Sequence, residues 1–303
     1  MQYKRQKKNI NGILLLDKPF GFSSNQALQK IKWLLQAAKA GHTGTLDPLA
    51  TGLLPLCFGE ATKFAHYLTD ADKTYIATVK FGITTTTGDA EGEVLASKPV
   101  NSDHAQLLRA CQQFVGEISQ VPPMYSALKH EGKALYEYAR EGVEIERKAR
   151  NITIHQITLE NFEHEIAVIT VICSKGTYIR TLAEDIGNVL GCGAHLIALR
   201  RIATANYHIA QAITLSQFEA MSEEARIAAL APPDSAVRHL PAMTLEADSV
   251  FYLQQGQAVW KSGLIPKGLL RLYSEHGVFL GLGEQQEDGK IAPKRLVLSK
   301  AGE

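Results

Sequence analysis

Cysteine is scarce in this chain. Four residues in 303, Cys57, Cys111, Cys173 and Cys192, stand far apart with no C-x-x-C spacing. That pattern points to neither a disulfide framework nor a thiolate zinc site, and buried thiols in a reducing cytoplasm account for it. Long apolar runs are also lacking. The longest early one, Ile13 to Leu16, is too short for a signal-peptide core or a membrane span. Ten histidines occur without ligand spacing, so no metal is expected. There is no G-x-x-x-x-G-K-[ST], no G-x-G-x-x-G after a strand and no H-E-x-x-H, so no nucleotide cofactor is expected either.

Charge of one sign is nearly absent from the total, at +1, but not from its distribution. Residues 1–39 hold Lys4, Arg5, Lys7, Lys8, Lys18, Lys30, Lys32 and Lys39 against Asp17 alone, a balance of +7. Such asymmetry lets one face attract a polyanion while the whole stays near neutral. A solvated tail explains residues 1–8 equally well. The hydrophobic share of 45% with 21% charged is ordinary for a globular protein, and the length suits one large domain or one large and one small.

Strand and helix patterns alternate along the chain. Ile10 to Leu16 reads as a short buried strand, closed by a Lys18-Pro19-Phe20-Gly21 turn. Ser23 and Gln26 form a capping box for a helix that carries Ala27, Leu28, Ile31, Leu34, Leu35 and Ala38 on one face and stops at Gly41. Helices are also expected over 61–68, 103–115, 135–140, 177–190, 216–229 and 247–255. Strands are expected over 75–83, 152–159, 166–174, from 195 through 199, and near 269–273, 278–283 and 294–298. Residues 124–150, irregular around one short helix, read as an inserted flap. Ala231-Pro232-Pro233-Asp234 opens a linker to a small β-rich tail.

The stretch Gly41-His42-Thr43-Gly44-Thr45-Leu46-Asp47-Pro48-Leu49-Ala50-Thr51-Gly52-Leu53-Leu54 sets one carboxylate, Asp47, on a glycine-rich loop against an apolar wall. Leaving directly from a helix C-terminus, such a loop would have a rigid mount. On spacing alone an Asp-Pro turn is the commoner explanation. Tyr75 at a strand start reads first as a packing aromatic. Arg180, just after a β-branched strand, should be buried only with a carboxylate partner. Asp185 on its own helix and Asp47 are the candidates.

Those fourteen residues resemble the catalytic motif of the TruB family of tRNA pseudouridine synthases. Five further segments resemble family motifs in order: Leu16-Asp17-Lys18-Pro19, Asp72-Lys73-Thr74-Tyr75, Met124-Tyr125-Ser126-Ala127-Leu128-Lys129, Ser174-Lys175-Gly176-Thr177-Tyr178-Ile179-Arg180 and Gly191-Cys192-Gly193-Ala194-His195. Gly289-Lys290-Ile291-Ala292-Pro293 is similar to the end of the bacterial form, so the likeness spans about residues 10–298. One departure is Thr86, about where the family often carries an additional acid; Asp89 keeps the second.

The resemblance implies an α+β pseudouridine-synthase fold: a large mixed, mainly antiparallel sheet flanked by helices. It divides the chain into a catalytic domain over 1–240, with the flap at 124–150 contacting RNA, and a PUA-like RNA-binding domain over 241–303. The implied reaction isomerises uridine 55 in the tRNA T loop, with Asp47 as nucleophile, Arg180 as its partner and Tyr75 stacked on the target base. Tyr178 and Leu199 would contact the flipped nucleotide, His42 would support the opened loop, and Lys18 would help bind substrate. The implied enzyme is a cytoplasmic monomer that needs no cofactor or metal and whose partner is the tRNA T stem-loop, not a membrane. A non-catalytic RNA-binding protein would not need Asp47, Tyr75 and Arg180 together. A base-excising hydrolase would want a second acid or base to activate water.

Overall fold

The computed structural model describes residues 7–263 and 266–297. Readings on Lys4, Arg5 and the chain ends lie outside these residues. The chain begins with β1 (Gly12–Lys18), α1 (Ser24–Leu34), β2 (Ala40–His42), β3 (Thr51–Phe58), α2 (Ala65–Asp70) and β4 (Lys73–Phe81). A ladder of β5 (Ile83–Thr85) and β6 (Val94–Ser97) precedes α3 (His104–Gln112) and β7 (Gly116–Gln120). The 124–150 region holds β8 (Lys129–His130), β9 (Lys133–Ala134) and α4 (Leu135–Arg140). Next come β10 (Arg150–Glu163), β11 (Ile166–Cys173), α5 (Ile179–Val189), β12 (Ala194–Thr204), β13 (Tyr207–His208), β14 (Ile213–Thr214), α6 (Leu215–Ala220) and α7 (Glu223–Ala228). The tail is β15 (Ala242–Leu245), α8 (Ala247–Gln254), β16 (Leu269–Ser274), β17 (Phe279–Gln285) and β18 (Ile291–Leu296).

One mixed sheet organises the body, in the order β14-β1-β3-β12-β4-β11-β10-β7, with β2 added on β3 and β13 on β12. Only the β1–β14 and β3–β12 pairings in it are parallel. Strand β4 shows why the chain pairs this way. Lys73, Tyr75, Ala77, Val79 and Phe81 are buried while the intervening residues are half-buried, which is the period of a pleated strand. The β1 run lacks that alternation because both its faces are covered. Leu14 and Leu16 join the core under α1, α3 and α5, while Ile13 and Leu15 join a second cluster with Phe64, Leu68 and Val237.

The sheet explains two departures from the sequence reading. Helix α1 ends at Leu34 rather than running to Gly41. Gln36 adopts a left-handed conformation (φ 53°), and the Ala37 and Gln36 amides donate to Lys32 O and Trp33 O, closing a Schellman turn without glycine. The Asp47 loop therefore leaves from β2, a sheet strand, not from a helix terminus. The helix expected over 216–229 is two helices, because Met221 is extended and Ser222 caps α7 anew by accepting from the Ala225 amide.

The tail forms its own sheet, β15-β16-β17-β18, around Leu245, Leu253, Leu270, Leu272 and Ile291. It also packs on the body. Leu282 belongs to the Ile13–Phe64 cluster, the Phe64 and Phe279 rings lie 5.4 Å apart, and Lys63 donates to Leu296 O at 2.8 Å. The basic excess of residues 1–39 is partly neutralised: Lys30 pairs with Glu219 at 2.8 Å and Lys8 with Glu223.

Candidate active site

The loop between β2 and β3 is fixed at each of its corners. The Leu46 amide donates to Ser24 Oγ at 2.8 Å, and that hydroxyl donates back to Leu46 O at 3.0 Å. The first residue of α1 thus clamps the residue before Asp47. The Ala50 amide donates to Asp47 O at 3.1 Å, so Asp47-Pro48 is indeed a turn, and the Gly21 amide holds it from outside through Pro48 O at 2.9 Å. The turn is the device that presents the carboxylate, so the two readings of Asp-Pro are compatible.

Arg180 enters from the first turn of α5. The helix expected from 177 begins at Ile179, so Tyr178 is the extended residue capping it and not part of its first turn. Its amide donates to Gln120 Oε1 at 2.8 Å, and Gln120 Nε2 donates to Tyr178 O at 3.1 Å. This reciprocal pair ties the start of α5 to β7. Arg180, almost fully buried, reaches Asp47 Oδ2 at 3.1 Å and Asp89 Oδ2 at 3.4 Å. Its remaining N–H groups donate to Thr87 O at 3.1 Å and Tyr125 O at 2.5 Å. A planar fork with several donors suits this arrangement; a lysine would not span it.

The sequence marks Asp89 only as the second family acid, beside the departure at Thr86, and gives it no role of its own. It is buried, accepts from Thr87 Oγ1 at 2.5 Å and from the Glu91 amide at 3.0 Å, and so is already committed to its neighbours and Arg180. Thr86 lies on the exposed side of the same loop, its hydroxyl accepting from the Glu93 amide at 3.1 Å. Its departure from the usual acid leaves the Arg180 contacts untouched. Arg180 pairs with Asp47 and Asp89, not with Asp185.

Burial pushes the Asp47 carboxyl above the usual carboxylate range, and Arg180 acts against it. About two-fifths of its side chain, 39%, stays open, so a substrate atom can reach it. His42, Asp47, Tyr75, Tyr178, Arg180 and Leu199 all line one cavity of about 840 Å³. Burial lowers His42 further from protonation, and its buried Nδ1 has no partner among the described residues. Lys18 does not join that cavity lining. It is fully buried, donates to Pro19 O and Phe22 O, and burial lowers its pKa to about 8 against the opposing charges of Asp47 and Glu91. In this conformation its ammonium is turned to those carbonyls, beside a second hollow that it lines with Asp17, Phe22 and Arg200.

Among the described residues no cluster of His, Cys, Asp and Glu could hold a metal ion, and no helix is long and apolar enough to cross a membrane. The cavity instead combines one reachable carboxylate, a guanidinium holding it, and aromatic walls. That combination suits nucleophilic chemistry on a flat, uncharged ring held out of a polymer.

Residues 32–179 match the N-terminal domain of the TruB family pseudouridylate synthases, 180–238 the tRNA pseudouridylate synthase B C-terminal domain, and 241–297 the C-terminal region of pseudouridine synthase II TruB. The tRNA pseudouridine synthase B of Methylobacillus flagellatus is 63% identical over the whole of both chains. That of Pseudomonas aeruginosa is 54% identical over 98% of this chain and 99% of its own. Among solved structures, a Cbf5-Nop10-Gar1 complex aligns with a TM-score of 0.70 at 26% identity, covering 95% of this chain and 84% of that one. An H/ACA RNP bound to a substrate RNA containing 2′-deoxyuridine aligns at 0.71 and 22% identity, covering 99% and 93%. The fold is thus that of the pseudouridine synthases, α+β with a small β unit appended. The chain belongs to the TruB family of pseudouridylate synthases, and it is an isomerase.

Proposed function

We propose that this enzyme acts on tRNA at uridine 55 of the T loop, with Asp47 as the nucleophile and the target base turned out of its stack into the 840 Å³ cavity. The observation that carries this reading is the Asp47–Arg180 pair at 3.1 Å on the wall of a cavity also lined by Tyr75 and Tyr178. Tyr75 stacks on the flipped base, Tyr178 and Leu199 bound the nucleotide, and His42, kept neutral, fills the vacated loop. Base flipping costs a few kcal/mol and least where a base is already poorly stacked, which favours a folded loop over a duplex.

The bonds balance without a co-reactant. The N1–C1′ bond breaks and a C5–C1′ bond forms; C5 loses a proton and N1 gains one. Asp47 holds the fragment between these events and is released unchanged. A hydrolase would need a free second carboxylate to activate water. Asp89, which shares Arg180 with Asp47, already accepts from Thr87, Glu91 and Arg180, which supports isomerisation over base excision.

The 124–150 segment and the tail after residue 240 add RNA contacts in this reading, with Lys261, Lys267, Arg271, Lys290, Lys294 and Arg295 as the basic groups of the tail. The enzyme works as a monomer in the cytoplasm, where its substrate is. Mapping pseudouridine in an unmodified tRNA transcript tests the position. One pseudouridine at 55, none in a U55→C transcript and turnover of an isolated T stem-loop are expected. Modification at another uridine in the U55→C transcript would refute the assignment.

A further inference from the structure

Arg200 and Arg201 are neighbours in β12, and the pleat sends them to opposite faces. Arg200 forms a two-pronged pair with Asp17 at 2.7 and 3.1 Å. Arg201 goes inward, and is the largest of the fully buried side chains, at 1% exposure. Among the described residues no carboxylate forms an ion pair with it. Its Nε donates to Leu53 O at 2.7 Å and one Nη to Gly44 O at 3.2 Å, which stand on either side of Asp47, the first in β3 and the second near the start of the loop. In register it stands opposite Gly52 on one side and Tyr75 on the other, and it lines the Asp47 cavity.

Two glycines flanking Asp47 let the β12 strand and the Arg201 side chain approach closely. A Cβ on Gly44 (φ 85°) would lie 3.3 Å from Arg201 Nη1, and one on Gly52 (φ 101°) 2.3 Å from Arg201 O. The positive charge is left uncompensated. Burial lowers the pKa values of His42, Lys18 and Lys73 and the Arg201 charge adds to that, while burial raises the pKa of the Tyr75 phenol and Arg201 acts against it. A buried charge without an acid partner is poor for stability, and an apolar side chain would serve packing better. What the guanidinium offers is a rigid fork that holds Leu53 O and Gly44 O at once, beside Tyr75, its partner in register.

We propose that Arg201 is a positioning residue that holds the Tyr75 phenol and the chain on either side of Asp47 in one fixed relation, so that a base stacked on Tyr75 meets the carboxylate in reacting geometry. This rests on the reading of Tyr75 as the stacking residue. The effect of losing it belongs to the chemical step, because Arg201 contacts protein groups and leaves the RNA backbone to others.

The test uses the full chain with unmodified tRNA transcript, comparing Arg201→Lys and Arg201→Gln, each alone and combined with Tyr75→Phe. Tm, tRNA Kd and the single-turnover rate constant are measured. Expected for Arg201→Lys is a Kd within about threefold of wild type and a rate lowered about 100-fold, the scale of a small misplacement of reacting groups. The double variants should be no slower than the slower single variant within about threefold, since two residues acting as a unit are non-additive. Multiplied losses in the double variants would overturn the proposal, as would a Kd that weakens in step with the rate. Failure of both Arg201 variants to fold, while Tyr75→Phe folds, would make the residue structural and overturn it equally. A wild-type rate for Tyr75→Phe would remove the phenol as the link and end this inference, while leaving Asp47 as nucleophile to be judged by its own variant.

Discussion

Replacing Arg180 by methionine keeps most of the side-chain volume and removes every donor. Two carboxylates then face each other without the guanidinium that joined them: Asp89, buried, and Asp47, 39% open. Breaking a buried pair from one side costs about 3–5 kcal/mol. Because Asp47 is partly solvated, its share is screened, and about 2–4 kcal/mol is the expected loss. For a body of this size that lowers Tm by about 5–12 °C. The catalytic consequence has a sign. Burial already raises the Asp47 pKa and Arg180 is the main opposing influence. Without it the pKa climbs further, so the carboxylate is protonated up to a higher pH. A single-turnover pH profile of Arg180→Met should show its acid limb displaced upward, with the rate at neutral pH down about 100-fold or more and recovering in part as pH rises. Arg180→Lys should fall between, since one ammonium cannot span Asp47, Asp89, Thr87 O and Tyr125 O. A rate loss with the acid limb unmoved, or an unchanged Tm, would refute this account of the pair.

Lys73 is buried and donates to Leu68 O, Thr69 O and Ala71 O at the end of α2, and burial lowers its pKa from 10.5 to about 8. The unfolded chain therefore binds more protons between pH 8 and 10.5, so this residue's contribution to stability rises through that window, by about 3 kcal/mol at most. Denaturant unfolding of wild type against Lys73→Met over pH 7–10.5 should show that relative gain; parallel curves would contradict it. Gly52→Ala sets a methyl 2.3 Å from Arg201 O at a positive φ, so the β3–β12 pairing must open. A loss of about 3 kcal/mol or more, or insoluble protein, is expected, and a variant with wild-type Tm would show that the strands yield easily.

Much of the fold was legible because its residues carry their own signals. Helix α4 begins at Leu135 and ends at Arg140, where the sequence placed it, with Gly142 at φ 73° after it. Strand β4 announced itself by strict alternation. The end of α1 did not, since its left-handed closing residue is Gln36 and no glycine marks it. Strand β3 stayed hidden as a strand because both faces are buried, which erases alternation, and Pro55 stands in its middle. The cavity residues were legible as a resemblance to a family motif, not from spacing alone. Arg201 was missed, and Asp89 was given no role, for a physical reason. An acid in a Gly-Asp turn and one of two adjacent arginines look ordinary until sheet pairing decides which way each side chain points.

The most direct test of the account is Asp47→Asn with unmodified tRNA, scored for binding and for pseudouridine in the same preparation. Asparagine keeps the size and serves the Asp-Pro turn as well, so the variant should fold and hold tRNA within a few-fold of wild type. Pseudouridine should fall to background, because no other carboxylate on the loop can take over. Measurable isomerisation by folded Asp47→Asn protein would contradict the nucleophile assignment outright.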